Sequence, residues 1–240
     1  MNTLSELLKY RELVMFMVIN DLKVRYRGSF LGLIWTVLSP ILMTCVLWIV
    51  FSSFGRIEEK NYALFLLSGL MVWTFFTQSI TQSLSSIIKN RNLMQQIYVP
   101  KIVFPITMIV SNTVNFLFFL VAYVFIAIFT EVGLSTTIFN IIPALIVACV
   151  LATGCGLAIA ALNVFFRDFT HLTDVVLRAL FYLTPIIYPP DIFGDTVNTA
   201  LRLNPIYYPV VLTRDALYYH TASSPETWAL GLGGAAIFFV

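Results

Sequence analysis

Four long apolar stretches, separated by short polar segments, dominate the hydrophobic pattern of this chain. A helix that crosses a lipid bilayer needs about 20 consecutive apolar residues. The pattern predicts membrane-spanning helices over residues 30–54, 61–88, 102–130 and 139–166. The chain therefore has the pattern of an all-α polytopic membrane protein.

The pattern changes after residue 174. A fifth span is predicted over 175–188, where prolines end the apolar run. Residues 189–220 are proline-broken and amphipathic, so we expect external re-entrant helices there. A sixth span begins at 227 and is truncated at 240, and we expect the natural protein to continue. The prediction is one transmembrane domain over residues 1–240, with six transmembrane helices.

The N-terminal residues 1–27 carry apolar side chains at helical spacing, but their uninterrupted apolar run is too short to span. An interfacial amphipathic helix on the cytoplasmic surface of the bilayer accounts for this pattern. The alternative is a helix that packs on a partner protein.

Composition supports the membrane assignment. Hydrophobic residues make up 59% of the chain and charged residues 11%, whereas soluble domains carry about 25% charge. The three cysteines lie in apolar stretches and match no metal or redox spacing, so we expect no metal site. No GxxxxGK[ST] loop occurs, so the chain lacks that device for binding nucleotide.

The distribution of charge predicts the orientation. Lys23, Arg25 and Arg27 directly precede the first span, and we expect them to contact lipid headgroups, with Trp35 at the same level. With the N-terminus in the cytoplasm, the inner segments together with Arg178 carry a net charge of +5, and the outer segments carry −3. The excess of Lys and Arg on the inner side agrees with the positive-inside rule.

The residues indicate no covalent chemistry and no ion coupling. No catalytic set is present, so we predict that the chain is not an enzyme, and the first four spans carry no charge, so any energy for transport must come from another source. Polar side chains on the second and third spans, such as Gln82 and Asn112, either bond across helices, which we favour, or line a polar path.

The loop between the second and third spans mixes apolar and basic residues. A loop in solvent does not need apolar residues, whereas a short amphipathic helix that docks on a cytoplasmic partner needs them for the contact. The residues that we assign to this docking are Lys89, Asn90, Arg91, Asn92, Leu93 and Met94.

Several stretches together resemble one family. NDLKVRYRGSFLGLIWTVLSP (20–40), NLMQQIYVPKIVFP (92–105), LNVFFRDFTHLTDVVLRALFYLTPIIYP (162–189) and LNPIYYPVVLTRDAL (203–217) resemble the membrane subunits of polysaccharide-exporting ABC transporters. These are the O-antigen and teichoic-acid permeases of the type-2 exporter fold.

The resemblance implies an inner-membrane homodimer that binds two copies of a separate ATPase and exports an undecaprenyl-linked glycan. ATP and Mg²⁺ are then expected in the ATPase and no cofactor in this chain, and no nucleic acid is involved. In this picture the 89–94 segment couples to the ATPase, and Arg167 and Asp168 hold the second internal loop. The alternative is that these two residues form a surface pair worth about 0–1 kcal/mol.

The resemblance also suggests a path for the glycan. Tyrosine offers a ring face to sugar C–H groups and a hydroxyl group to their oxygens. We assign Tyr188, Tyr207 and Tyr208 of the external segment to this path, with Trp48 and Phe51 of the first span at the same depth. The alternative is an aromatic belt at the lipid headgroups.

Other functions remain open from the residues. The chain has the features of a capsule or teichoic-acid exporter permease, or of another type-2 ABC exporter for a drug or lipid. A channel or structural membrane protein without energy input is a further class, and co-purification of an ATPase would exclude it.

Overall fold

The computed structural model describes residues 9–27, 32, 34–52, 59, 61–130, 132–133 and 135–238, and every regular element within them is a helix. The predictions for residues 1–8, and for the first few residues of the first span, lie outside the described residues. The α-helices are α1 (Arg11–Tyr26), α2 (Ile34–Ser52), α3 (Tyr62–Lys89), α4 (Arg91–Gln96), α5 (Val103–Ile128), α6 (Ile141–Phe165), α7 (Phe169–Tyr182), α8 (Asp195–Arg202), α9 (Tyr207–Arg214) and α10 (Pro225–Ile237). A 3₁₀ turn (Thr136–Asn140) precedes α6, and a π turn (Asp215–Tyr219) follows α9.

Four helices, α2, α3, α5 and α6, are long and apolar enough to cross a membrane, and they lie where the first four spans are predicted. Local signals define some helix ends. The side chain of Asn61 accepts a hydrogen bond from the Leu64 amide at the start of α3, and that of Ser224 accepts one from the Thr227 amide at the start of α10. Asn and Ser are among the preferred residues at this position.

The fifth predicted span differs from the observed helix. α7 begins at Phe169, six residues before the predicted start, because the turn that separates it from α6 is short and ends at Asp168. It ends at Tyr182, since the residue before Pro185 is restricted to extended conformations. Its 14 residues rise about 21 Å, less than the 30 Å of the hydrocarbon core. Within the described residues, four helices thus have spanning length, and α7 and α10 are shorter.

α3 is the centre of the domain. It packs against α2, α5, α6, α7 and α9, and its apolar side chains are buried along most of its length. The rings of Phe75 in α3 and Phe116 in α5 meet edge to face at 5.9 Å. A Cβ on Gly156 of α6 would lie 3.1 Å from Ser83 Oγ, so this glycine permits close packing of α6 on α3.

Candidate transport and coupling sites

The two ends of α3 carry different sets of polar residues. α4 and the Arg167–Asp168 turn lie at its C-terminal end, which we call the α4 end. α9 and the π turn lie at its N-terminal end, which we call the α9 end. Each predicted site residue belongs to one of these ends or to the helices between them.

At the α4 end, the predicted docking residues divide between two sides of α4. Leu93 and Met94 are half-buried and pack on Val99, Val103 and Phe104, in a cluster that α1 completes. The apolar side chains that α1 supplies to this cluster are Tyr10, Leu13, Val14 and Met17. Leu93 and Met94 thus have part of their surface covered by residues of the same chain, and their burial in an ATPase groove stays a prediction.

The opposite side of α4 is exposed. Tyr98 is the most exposed large apolar side chain here, at 86%, and Ile97 is 49% exposed. The residues of this α4 outer face are Arg91, Asn92, Gln95, Gln96, Ile97 and Tyr98. Lys89 is also exposed, whereas Asn90 donates from its side chain to the Ser86 carbonyl and thereby helps to end α3.

A buried asparagine connects α3 to the second predicted coupling segment. Asn163 near the end of α6 donates to the Leu84 carbonyl of α3 at 2.8 Å and accepts from Thr170 Oγ1 of α7 at 3.1 Å. Arg167 and Asp168 lie exposed in the turn between α6 and α7. The two coupling segments predicted from the sequence thus lie at the same end of the molecule, and their assigned role stays a prediction.

The basic residues before the first span do not share one environment. Lys23 and Arg27 are exposed, and their contact with lipid headgroups stays a prediction. Arg25 instead bonds to protein groups, at 2.7 Å to Asp21 Oδ2, 3.0 Å to Gln82 Oε1 and 3.3 Å to Asn112 Oδ1. The structure therefore differs from the prediction that Arg25 contacts lipid headgroups. Helical spacing places this residue on the face of α1 that lies toward α3 and α5.

The polar residues of the second and third predicted spans bond across helices. Asn112 donates to Gln82 Oε1 at 3.1 Å, and Asn115 donates to Asn112 Oδ1 at 3.2 Å. We call Asp21, Arg25, Gln82, Asn112 and Asn115 the Arg25 network. The bond between Asn112 and Gln82 joins α5 to α3 and agrees with the favoured interpretation of interhelical hydrogen bonding, whereas the Asn115–Asn112 bond lies within α5.

At the α9 end, two of the predicted glycan-path tyrosines are buried. Tyr207 and Tyr208 are each 8% exposed, and both pack with Leu201 of α8. The centroids of the two tyrosine rings lie 5.4 Å apart. Tyr188 packs on the same cluster and donates to the Tyr182 carbonyl. The structure therefore places Tyr207 and Tyr208 in packing between α8 and α9, beside a cavity of only about 140 Å³, and their contact with a glycan stays a prediction.

The first-span aromatics of the predicted path also differ from each other. Trp48 of α2 is 47% exposed, and its role in a glycan path stays a prediction. Phe51 is half-buried against the main core of the domain. Trp35, predicted at headgroup level, is 44% exposed at the other end of α2.

A cavity between α2, α3 and α7 brings aromatic and charged groups together. Its volume is about 470 Å³, and Trp73 and Phe181 meet edge to face in its wall at 5.4 Å. The side chains that line it are Met43, Trp73, Thr77, Asp174, Leu177, Arg178, Phe181 and Tyr182. We call it the Trp73 cavity, and sequence reasoning missed it because its residues come from three separate helices.

The irregular backbone at the α9 end is held by side chains from the long helices. Tyr62 Oη donates to the Ile187 carbonyl at 2.7 Å, and Tyr123 Oη donates to the Leu217 carbonyl at 3.0 Å. Buried carbonyl groups require such donors, and irregular backbone at membrane depth is tolerated only where protein or water supplies them.

The largest of these donors is Arg214, which is 1% exposed. Its guanidinium donates to the carbonyls of Pro185 at 2.7 Å and Ile186 at 3.1 Å, and it lies 3.7 Å from the ring centroid of Phe65. Burial lowers the pKa of Arg214 to about 10, so it remains charged at neutral pH. A Cβ on Gly69 would lie 2.9 Å from its Nη2, so glycine is needed beside it.

The π turn is tied to the start of α3 by a carboxylate. Tyr218 and Tyr219 donate from their hydroxyl groups to the two oxygens of Glu59, at 3.0 and 2.9 Å. Burial raises the pKa of Tyr218 to about 12, so its hydroxyl group keeps the proton that it donates at neutral pH. The charge count of the sequence includes Arg214 in the outer segments, and only the fold shows that its side chain is buried.

The arrangement has no group of metal ligands within the described residues. It has an exposed face at one end, an aromatic cavity along the membrane-spanning helices and a tightly bonded segment at the other end. A family model described as ABC-2 type transporter matches residues 12–218. The chain belongs to the ABC-2 type transporter family. It is therefore a transport component rather than an enzyme.

Relatives of this ABC-2 chain are named for polysaccharide export. It is 30% identical to the O-antigen export system permease protein RfbA of Klebsiella pneumoniae, over 85% of this chain and 79% of the relative. It is 31% identical to the protein of the same name from Myxococcus xanthus, over 92% of this chain and 86% of the relative. The polysialic acid transport protein KpsM of Escherichia coli is 22% identical, over 83% of this chain and 78% of the relative.

We expect Arg214→Gln to destabilise the protein, because each buried carbonyl that loses its donor costs about 1–3 kcal/mol. The midpoint of thermal unfolding of the detergent-purified protein should fall by about 5 °C or more. Arg202→Gln is the control, since Arg202 is exposed on α8 in the same segment. Equal unfolding midpoints for the two variants would contradict the assigned role of Arg214.

Proposed function

We propose that this chain is the permease half of an ATP-driven exporter that moves a lipid-linked, O-antigen-like polysaccharide across the inner membrane. The observation that carries the proposal is the similarity to permeases named for O-antigen export, which extends over 92% of the chain for the Myxococcus protein. The four long apolar helices fit a membrane subunit. A second copy of the chain and two ATPase subunits, which bind ATP and Mg²⁺, complete the proposed exporter.

The proposed topology has six crossings, with the N-terminus and the α4 end in the cytoplasm. The +5 charge of the inner segments against −3 outside supports this orientation. In this proposal α7 and the bonded residues after it form the fifth crossing, α10 begins the sixth, and α8 and α9 re-enter from outside. The donors from Tyr62, Tyr123 and Arg214 support re-entry, because they supply the partners that irregular backbone needs.

The α4 outer face is the proposed contact for the ATPase. It combines an aromatic side chain, an arginine and amide side chains, and aromatic and arginine residues are enriched among energetically dominant interface residues. Leu93 and Met94 hold α4 in place from its opposite side by packing on Val99, Val103 and Phe104. Docking therefore depends on Tyr98 directly and on Leu93 through the position of α4.

We expect Tyr98→Ala to weaken binding of the ATPase at least about tenfold, because truncation of a central interface aromatic costs about 2 kcal/mol or more. Binding is measured by titrating the partner ATPase onto the permease in lipid nanodiscs. Tyr182→Ala is the matched control, since Tyr182 is 71% exposed on α7 away from α4. Wild-type affinity in the Tyr98 variant would place the ATPase contact elsewhere.

The Trp73 cavity is the proposed contact for the glycan. Ring faces provide apolar contact with sugar C–H groups. Asp174 and Arg178 add charged groups that exchange hydrogen bonds with hydroxyl groups at the same cavity. Its volume of about 470 Å³ lies in the usual range of ligand sites, about 300–1,000 Å³. This assignment takes the place of the one to Tyr207 and Tyr208, which are buried, and it again relies on aromatic rings for contact with the sugar.

The double variant Trp73→Ala with Phe181→Ala should lower surface glycan severalfold at normal protein level, with the ATPase still bound. The loss follows from removing both rings of the cavity wall. Phe125→Ala with Phe129→Ala is the control, because those rings form an exposed pair at 5.2 Å on α5. Equal surface glycan in both double variants would remove the cavity from the path.

The function itself is tested by deleting the gene and restoring it together with the partner ATPase. We expect the deletion strain to lose its long-chain surface O-antigen and to accumulate lipid-linked polymer inside, and the restored strain to regain surface O-antigen and lose the internal polymer. Glycan is measured by immunoblot on intact and on lysed cells. Loss of a capsule with normal O-antigen would favour the second candidate, a capsule exporter, which the KpsM similarity supports. Unchanged surface polysaccharide of both kinds would contradict the proposed function.

A further inference from the structure

Arg25 occupies a different position from its two basic neighbours. Lys23 and Arg27 are exposed on α1, whereas Arg25 lies on the face that also carries the buried Val18. Attraction to anionic lipid requires charge near the membrane surface, and the two exposed residues satisfy that need. The inward direction of Arg25 requires a separate explanation.

The hydrogen bonds of Arg25 connect three helices. One guanidinium contacts Asp21 on its own helix, Gln82 on α3 and Asn112 on α5. Hydrogen bonds that involve a charged group are about twice as strong as neutral ones. The Asp21–Arg25 contact is also the one ion pair within the part of the chain that the structure describes. Arg25 therefore fixes α1 against the α3–α5 pair at one position.

The N-terminal half of α1 shares a hydrophobic cluster with α4, whose buried members are Val99, Val103 and Phe104. Leu13, Val14 and Met17 pack in the cluster that contains Leu93 and Met94. Met17 and Arg25 are eight residues apart on one continuous helix, a distance of about 12 Å along its axis. Because α1 is one continuous helix, a shift of the cluster that it shares with α4 also moves its bonds to α3 and α5.

Arg25 also borders two cavities. One, of about 580 Å³, lies between α1 and α3 and is lined by Asn20, Gln82 and Lys89. The other, of about 360 Å³, lies between α2, α3 and α5 and is lined by Ser39, Gln78 and Phe119. We call the second one the α2 cavity. Arg25 is the residue that these two cavities share within the described part of the chain, so a shift of Arg25 changes the wall of the α2 cavity.

We propose that Arg25 is a positioning residue that transmits displacement of α4 through α1 to the α3–α5 pair and so to the α2 cavity. This inference rests on the proposed function, because the ATPase on the α4 outer face supplies the displacement. It assigns a role in coupling to a residue that has no contact with the proposed ATPase surface or with the Trp73 cavity.

The test measures access to the α2 cavity in the complex of permease and ATPase in lipid nanodiscs. Gln78→Cys is introduced after replacement of the three native cysteines by alanine. Its reaction rate with a water-soluble maleimide is compared without nucleotide and with ATP and vanadate. We expect the two rates to differ severalfold in this parent protein and to become equal when Arg25→Ala is added.

The same complexes separate coupling from stability. We expect Arg25→Ala to keep ATP hydrolysis within about twofold while glycan export falls at least tenfold. Lys23→Ala and Arg27→Ala are the matched controls, and both should keep the nucleotide-dependent difference in labelling. Gln82→Met removes an acceptor of Arg25 and leaves the charge of Arg25 in place. We expect this variant to reduce the labelling difference as well, so it tests the inference if Arg25→Ala does not assemble.

Three results would overturn the inference. A labelling difference that persists in both Arg25→Ala and Gln82→Met would show that the network does not transmit. Equal loss of export in all three basic variants would instead assign Arg25 to attraction of lipid. Absence of ATPase from the parent complex would contradict both the proposed function and this inference. If the ATPase is bound and active, either of the first two results contradicts the inference and leaves the proposed function intact.

Discussion

The contact of the Arg214 guanidinium with two backbone carbonyls fixes the α9 end of the molecule. α7 ends where a proline interrupts the chain, and the carbonyls of Pro185 and Ile186 then lack helical partners. A buried charge is costly, and several hydrogen bonds are needed to offset that cost. Because the donor comes from α9 and rests on Phe65 and Gly69 of α3, the same interaction sets how α7, α9 and α3 lie together.

A second arginine has the corresponding position at the α4 end. Arg25 joins α1 to α3 and α5, as Arg214 joins α9 to α3 and the end of α7. The middle of α3 between them packs by shape, with apolar side chains and contacts of small residues such as Gly156. The strong directional contacts of this domain therefore lie toward the two ends, which leaves the Trp73 cavity between them bordered mainly by helix surfaces.

The α4 end shows why an amphipathic segment does not identify its own partner. Leu93 and Met94 have the apolar character expected of a docking residue, and they pack on Val99, Val103 and Phe104 of the same chain. Burial of apolar area is non-directional, so either surface satisfies it equally well. Tyr98 follows α4 and is the large side chain left exposed, and it became a candidate only when the contacts of its neighbours were visible.

The sequence alone determined the membrane class, the four long helices and the family resemblance, because hydropathy and helix length are local properties that bilayer thickness constrains. It also indicated that Gln82 and Asn112 bond across helices. Only the tertiary structure decided that Arg25 and Arg214 turn inward and that Tyr207 is buried, since each outcome depends on residues distant in the chain. An arginine or tyrosine has the same local pattern at a lipid surface as in a protein interior, and the neighbours that distinguish the two are brought together only by folding.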